Sequence, residues 1–296
     1  MSAARRPWSI VSPLVAATLL GTLVGCGTDS GSGPGSVVPT VVTGADPVAF
    51  VAEQVGGEAV DVVNLTPPGV EPHDIEISPQ QTVGVADADV IVTMPGFQPA
   101  FDDVVTQSGG DAAVVDVSNV VTIAGADPHV WLDPTNLIPI AEAVADQLAA
   151  VNPAAADTYD ANAADFVQRV TELDRDFADT LATCRQDAFV TNHAAFGYLA
   201  DRYGLTQIAI SGLDPEAEAT PSQLAQVADA VGAAGVTTVF TETLVSPATA
   251  ETLAEELGLT VDTLDPVEGI TDPMTSDYFS VMRQNLAALA AANECS

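Results

Sequence analysis

Short runs of apolar, mostly β-branched residues alternate with helical stretches that often open on proline, and that alternation admits few folds. The first set of runs lies at 40–43, 59–65, 90–93 and 113–116, with helical stretches near 47–56, 79–86 and 99–108. Strands with almost no polar alternation are buried on both faces. They suit a parallel sheet covered by helices rather than an antiparallel sheet with one wet face. The pattern returns in the second half. Strands fit at 188–191, 205–210, 238–241 and 260–263, and helices at 194–203, 221–234, 247–257 and 277–292. Gly204 and Gly258 stand where helices should end.

Between the two sets, Asp133-Pro134 and Asn152-Pro153 each pair a capping side chain with proline at the first helical position. The first starts a helix that runs to about residue 151. From 154 to about 183 no Gly or Pro interrupts the chain. Tyr159, Phe166, Val170, Leu173, Phe177 and Leu181 recur there at mostly three- and four-residue steps, the period of a half-buried helix. A helix of about 30 residues is about 45 Å long, a candidate rigid connector. The expected fold class is therefore α/β. Two βα domains with mainly parallel sheets, at 38–152 and 184–296, are joined by one long helix at 153–183.

The N-terminus reads as a targeting segment. Arg5 and Arg6 precede a mostly apolar run from 8 to 24, and Leu23-Val24-Gly25 leads into Cys26. This describes a secretory signal at 1–25, with Cys26 in the place of a bacterial lipobox cysteine. The alternative is an uncleaved membrane anchor, but Pro13 and several Ser and Thr interrupt a run at the short end for a spanning helix. Residues 26–37 then form a flexible tether. An exported chain, lipid-anchored through Cys26 at the outer face of the cell membrane, is expected. Cys184 and Cys295 remain as an even pair, which in an oxidising compartment reads as a disulfide; two buried thiols are the alternative. Acidic residues number 41 against seven basic ones, none of them lysine, for a net charge of −34. No basic patch exists to bind phosphates, so nucleic acid is excluded as a partner. The acidity itself reads as solubility, not as a site.

The whole chain contains three histidines. His73 lies after the 59–65 strand, His129 after the 113–116 strand and His193 after the 188–191 strand. Ligands of open α/β sheets bind outside the carboxyl ends of strands. A cleft between the two domains would thus bring together three imidazoles, the commonest protein ligands for zinc-type metals.

The loops that carry them resemble a known family. PHDIEISP at 72–79, DPHVWLDP at 127–134 and TNHAAFGYLADRYGL at 191–205 resemble the three ligand loops of metal-binding proteins of bacterial zinc and manganese ABC importers. VFTE at 239–242, TLDP at 263–266 and the terminal YFSVMRQNLAAL at 278–289 are similar to its later elements. The resemblance covers nearly all of 38–293. It implies two βα domains joined by a long helix with the metal between them. It also implies His73, His129, His193 and Asp265 as metal ligands. Glu71, which lies beside His73, and water are the other candidates for the fourth position. Asp74, Asp127 and Glu242 would hold imidazoles in one tautomer, and Phe97, Trp131 and Phe196 would form walls or core. The long His- and acid-rich loop of some zinc members is absent. Gly96-Phe97-Gln98-Pro99 stands where an acidic residue is expected.

The function implied is capture of Zn(II), as transported ligand, and its delivery to an ABC permease by a monomer that performs no chemistry. Manganese members place a Glu where His193 stands, and three histidines with one carboxylate lean toward zinc. Alternatives are a zinc-dependent hydrolase, a surface metal buffer or adhesin, and a manganese or iron carrier. Against the hydrolase, the chain has no HExxH, no GxSxG and no fourth histidine to act as base.

Overall fold

The computed structural model describes residues 38–271 and 274–296. The expected signal segment, the tether and Cys26 lie outside the described residues. The first half is built on β1 (Thr40–Thr43), β2 (Asp61–Asn64), β3 (Val90–Thr93) and β4 (Ala113–Asp116), all parallel, in the order β2-β1-β3-β4. The second half repeats this with β5 (Ala188–Thr191), β6 (Thr206–Ala209), β7 (Thr238–Thr241) and β8 (Thr260–Thr263) in the order β6-β5-β7-β8. In each sheet the strand order reverses beside the first strand, which opens a crevice at the carboxyl ends. β3, β5 and β7 are buried along their whole length, while every residue of edge strand β8 is exposed. β2 is shorter than the apolar run at 59–65 because Gly57–Ala59 forms a 3-10 turn.

The helices among the described residues are α1 (Asp46–Gly56), α2 (Pro79–Ala86), α3 (Pro99–Ser108), α4 (Leu137–Val151), α5 (Ala156–Leu181), α6 (Gly197–Tyr203), α7 (Pro221–Ala234), α8 (Ala248–Leu257) and α9 (Tyr278–Ala292). Local chemistry fixes their ends. Ser78, Thr220 and Asp277 each accept a hydrogen bond from the third residue of the helix they cap, whose side chain bonds back to the capping backbone. Gly204, Gly235 and Gly258 close helices at φ of 69°, 69° and 71°, a conformation that costs glycine little. α6 starts at 197 rather than 194, because the Ala194 amide is taken by the Gly212 carbonyl.

The connector α5 is 26 residues long, about 39 Å, and buries Tyr159, Phe166, Val170, Leu173, Phe177 and Leu181. It is the axis of a core that both halves share. Phe50 of α1, Phe166 of α5 and Phe279 of α9 form a triangle of rings with centroids 5.6–6.1 Å apart, and the Arg169 guanidinium lies 4.1 Å over Phe279. Smaller clusters belong to one half each: Val42, Leu65, Val85, Ile91 and Phe101 in the first, Val190, Val227, Val231, Val239 and Leu253 in the second. The halves are therefore two sheets on one common core. Cys184 and Cys295 are bonded, with Cα atoms 3.7 Å apart, closer than the usual range of about 4.4–6.8 Å. The bridge fastens the C-terminus to the end of the connector. No helix of the described residues is long and apolar enough to cross a membrane.

Candidate metal centre

The three histidines meet where the carboxyl ends of the two sheets face each other. His193 follows β5, at the position where the second sheet's order reverses. Glu242 follows the neighbouring β7, and the pairing of these strands sets the two side chains side by side. Glu242 accepts the His193 amide at 3.0 Å and bonds His193 Nδ1 at 2.7 Å. His129 is held in the same way: Asp127 Oδ1 accepts its amide at 3.0 Å and meets its Nδ1 at 2.7 Å. A carboxylate on Nδ1 keeps a proton there and leaves Nε2 as the nitrogen that faces inward, toward a metal. The sequence-based roles of Asp127 and Glu242 hold. Asp74 differs: its side chain is exposed, and among the described residues no carboxylate meets His73 Nδ1.

His73 is oriented by its surroundings. Both Glu71 carboxylate oxygens accept the His73 amide at 3.1 Å, so Glu71 is turned to the backbone and away from the other imidazoles. Gln98 is buried in place of the expected acid. Its amide donates to the Gly44, Thr66 and Pro72 oxygens at 2.8–3.0 Å, which ties the residue before His73 to the end of β1. Phe97 packs edge-on against His73 at 4.6 Å, and Trp131 lies against His129 at 5.3 Å.

The fourth member of the cluster is Glu268. Its Oε1 stands 3.5 Å from His73 Nε2, 3.0 Å from His129 Nε2 and 3.2 Å from His193 Nε2. His129 Nε2 is 3.4 Å from both of the other Nε2 atoms. Bonds of about 2.0–2.1 Å to one central ion give a tetrahedron whose edges are about 3.3–3.4 Å. The five separations, 3.0–3.5 Å, scatter around that value. Three histidine nitrogens and one carboxylate oxygen could therefore hold a zinc-type cation.

Asp265 is elsewhere. Its Oδ1 accepts the Val267 amide at 2.8 Å and its Oδ2 accepts the Thr243 hydroxyl at 3.0 Å. The Asn285 side chain pairs with both the Asp265 amide and carbonyl at 2.9 and 2.6 Å. Trp131 Nε1 donates to the next carbonyl, Pro266, at 2.7 Å. These bonds hold Val267 at a φ of 58°, which a β-branched residue adopts only under constraint, and the resulting turn aims Glu268 at the histidines. The acid read as a ligand thus shapes the loop that presents a different acid three residues on. A sequence signal for Glu268 exists: it is a lone charge between Val267 and Gly269-Ile270, and a buried charge needs partners.

The electrostatics follow from burial. His129, His193 and Glu268 are at most 2 % exposed, while the His73 side chain is 12 % exposed. Burial pulls His193 down, but its bonds to Glu242 and Glu268 outweigh that and push it up to about 10. Burial likewise opposes the charge on His129, and the bonds to Asp127 and Glu268 carry it above its ordinary value. Burial alone would raise Glu268; the three imidazoles hold it well below the usual carboxylate range. The site is built for positive charge.

Comparison with known proteins places the chain among zinc-binding proteins. The chain is 35% identical over 282 residues to the zinc-binding protein AdcA of Streptococcus pyogenes serotype M1, covering 84% of this chain and 55% of that one. It therefore spans about half the length of that relative. It is 28% identical over 313 residues to the high-affinity zinc uptake system protein ZnuA of Bacillus subtilis, covering 96% and 97% of the two chains. Among solved structures, the Zn(II)-bound ZnuA-like domain of Streptococcus pneumoniae AdcA superposes with a TM-score of 0.76 at 33% identity, over 86% of this chain and 99% of that one. The laminin-binding protein Lmb of Streptococcus agalactiae, described as an adhesin with metal-transporting activity, gives 0.80 at 31% identity, over 86% and 99%. The family model of the periplasmic component A of the zinc-uptake complex matches residues 41–292, and the chain belongs to that family.

Proposed function

We propose that the chain captures Zn(II) through His73, His129, His193 and Glu268 and delivers it to an ABC permease, with Cys26 as the lipid anchor on the outer face of the membrane. The observation that carries the reading is a cluster of four inward-facing atoms with five separations of 3.0–3.5 Å, close to the edge lengths of a zinc tetrahedron. Two relatives, the zinc-binding protein AdcA and the zinc uptake protein ZnuA, support it. A hydrolase needs an open position for water and a base beside it. Here the fourth corner is a carboxylate held by the histidines, and the chain has no further histidine. A monomer suffices, since all four ligands come from one chain.

The test is a zinc titration against a competing chelator, together with zinc-limited growth of cells lacking the gene. The parent should bind one zinc and restore growth. His129→Ala should bind zinc at least a hundredfold more weakly and fail to restore it. Equal binding by His129→Ala would refute the ligand set; tight binding without growth rescue would refute the importer role and favour a surface buffer.

A further inference from the structure

The seam between the His73 loop and the Glu268 loop carries a clasp that the four ligands do not explain. Asp46 is the first residue of α1, just after β1, and its partly buried carboxylate bridges two donors. Oδ1 accepts the Asn64 side-chain amide from the end of β2, and Oδ2 accepts the backbone amide of Ile270, 224 residues away in the other half. Burial pushes the Asp46 carboxyl up, and these two donors oppose that shift. Around the clasp the two loops touch directly. A Cβ placed on Gly269 would lie 3.1 Å from the Val70 carbonyl oxygen and 3.0 Å from Leu244 Cδ1, and one on Gly69 would lie 3.5 Å from Thr271 Cγ2. Loop 66–72 leads into His73, the one site residue open to solvent, and Ile270 lies two residues past Glu268. Below the seam the halves share one aromatic core, so they have little freedom to swing apart as bodies.

We propose that Asp46 is a positioning residue whose bridge from Asn64 to the Ile270 amide latches the seam and sets the rate at which the bound metal leaves. The inference rests on the zinc-capture reading of the site. With a rigid core beneath, the ion exits by parting of the two loops on the His73 side, and the Asp46 bridge must open first. An isosteric amide cannot replace the carboxylate. Asn at 46 has one acceptor oxygen for two donors, so its NH2 group faces a donor whichever way it turns.

The experiment uses the full chain loaded with zinc, mixed rapidly with excess chelator, for the parent, Asp46→Asn and Asn64→Ala. Both variants should bind one zinc through the same histidines, and release it at least tenfold faster than the parent. Parental release rates in a folded variant overturn the latch and leave zinc capture standing; a parent that holds no zinc overturns both. Amide exchange on the zinc-loaded parent needs no variant to fold. The Ile270 amide should exchange far more slowly than an open loop amide, and exchange at the open rate overturns the proposal.

Discussion

Asp265 and Glu268 are three residues apart, and the turn between them decides which one meets the histidines. Glu268→Gln removes the charge of a carboxylate whose Oε1 lies within 3.5 Å of all three Nε2 atoms, whereas Asp265→Ala removes two hydrogen bonds that shape the loop. Each such bond is worth about 1 kcal/mol net, so Asp265→Ala should weaken zinc binding by at most about thirtyfold, while Glu268→Gln weakens it by more. Chelator-competition titrations of the two variants check this, and the reverse order would return the ligand to Asp265. Removing Asp127 or Glu242 should cost about 10–100-fold in affinity, because each fixes an imidazole tautomer. The pH dependence has a definite sign. His193 is raised to about 10, so its proton stabilises the metal-free fold below the ordinary imidazole range, and that contribution is lost as pH rises toward 10. Zinc must displace this proton. Its apparent affinity should therefore keep climbing between pH 7 and 10, by about tenfold per unit for each proton displaced, rather than level off near 6.5. A titration series that is flat above pH 7 would contradict the account. At this scale the histidines were legible because the chain has only three, each after a strand. Glu268 was harder to pick out among 41 acids: its one signal is its apolar flanks, and the φ of 58° at Val267 that aims it leaves no mark on the sequence.

The elements were more legible than the residues. Six of the eight expected runs, at 40–43, 90–93, 113–116, 188–191, 238–241 and 260–263, became strands at the expected ends, since β-branched residues between turn formers leave little choice. The misses have local causes: a 3-10 turn took the start of the 59–65 run, and the Gly212 carbonyl delayed α6 by three residues. Periodicity also marked the buried stripe of α5 from Tyr159 to Leu181. It could not say what the stripe packs on, because contacts between α1, α5 and α9 join residues more than 100 positions apart. The disulfide belongs to this scale. It closes a separation of 111 residues, and in the chain-entropy model removing such a link costs about 4–5 kcal/mol. Thermal melts with and without reductant should show a fall of several degrees or more in the reduced protein. An unchanged midpoint with both thiols free would show that the core alone holds the C-terminus.

At the scale of the whole molecule, two sheets of the same strand order face each other across one site, on a core they share. The repeat of the βα pattern was visible in the sequence; the merging of the two halves into one core was not, since it depends on α9 returning to pack on α1 and α5. That architecture makes the metal a ligand and not a structural element, so the metal-free chain should remain folded. Free zinc at about a thousand times its dissociation constant should then add about 4 kcal/mol of stability, and manganese much less at equal concentration, because it prefers oxygen-rich sites of higher coordination. Thermal melts with each metal and with chelator check this ordering. The central claim, that these four atoms bind zinc, is tested most directly by a crystal structure of the zinc-loaded chain with diffraction data collected on both sides of the zinc absorption edge. The account predicts a single strong anomalous peak, present above the edge and absent below it, about 2.0–2.2 Å from His73 Nε2, His129 Nε2, His193 Nε2 and a Glu268 oxygen. A peak bound by Asp265 or Glu71 in place of Glu268, or no peak between the two sheets, would contradict it.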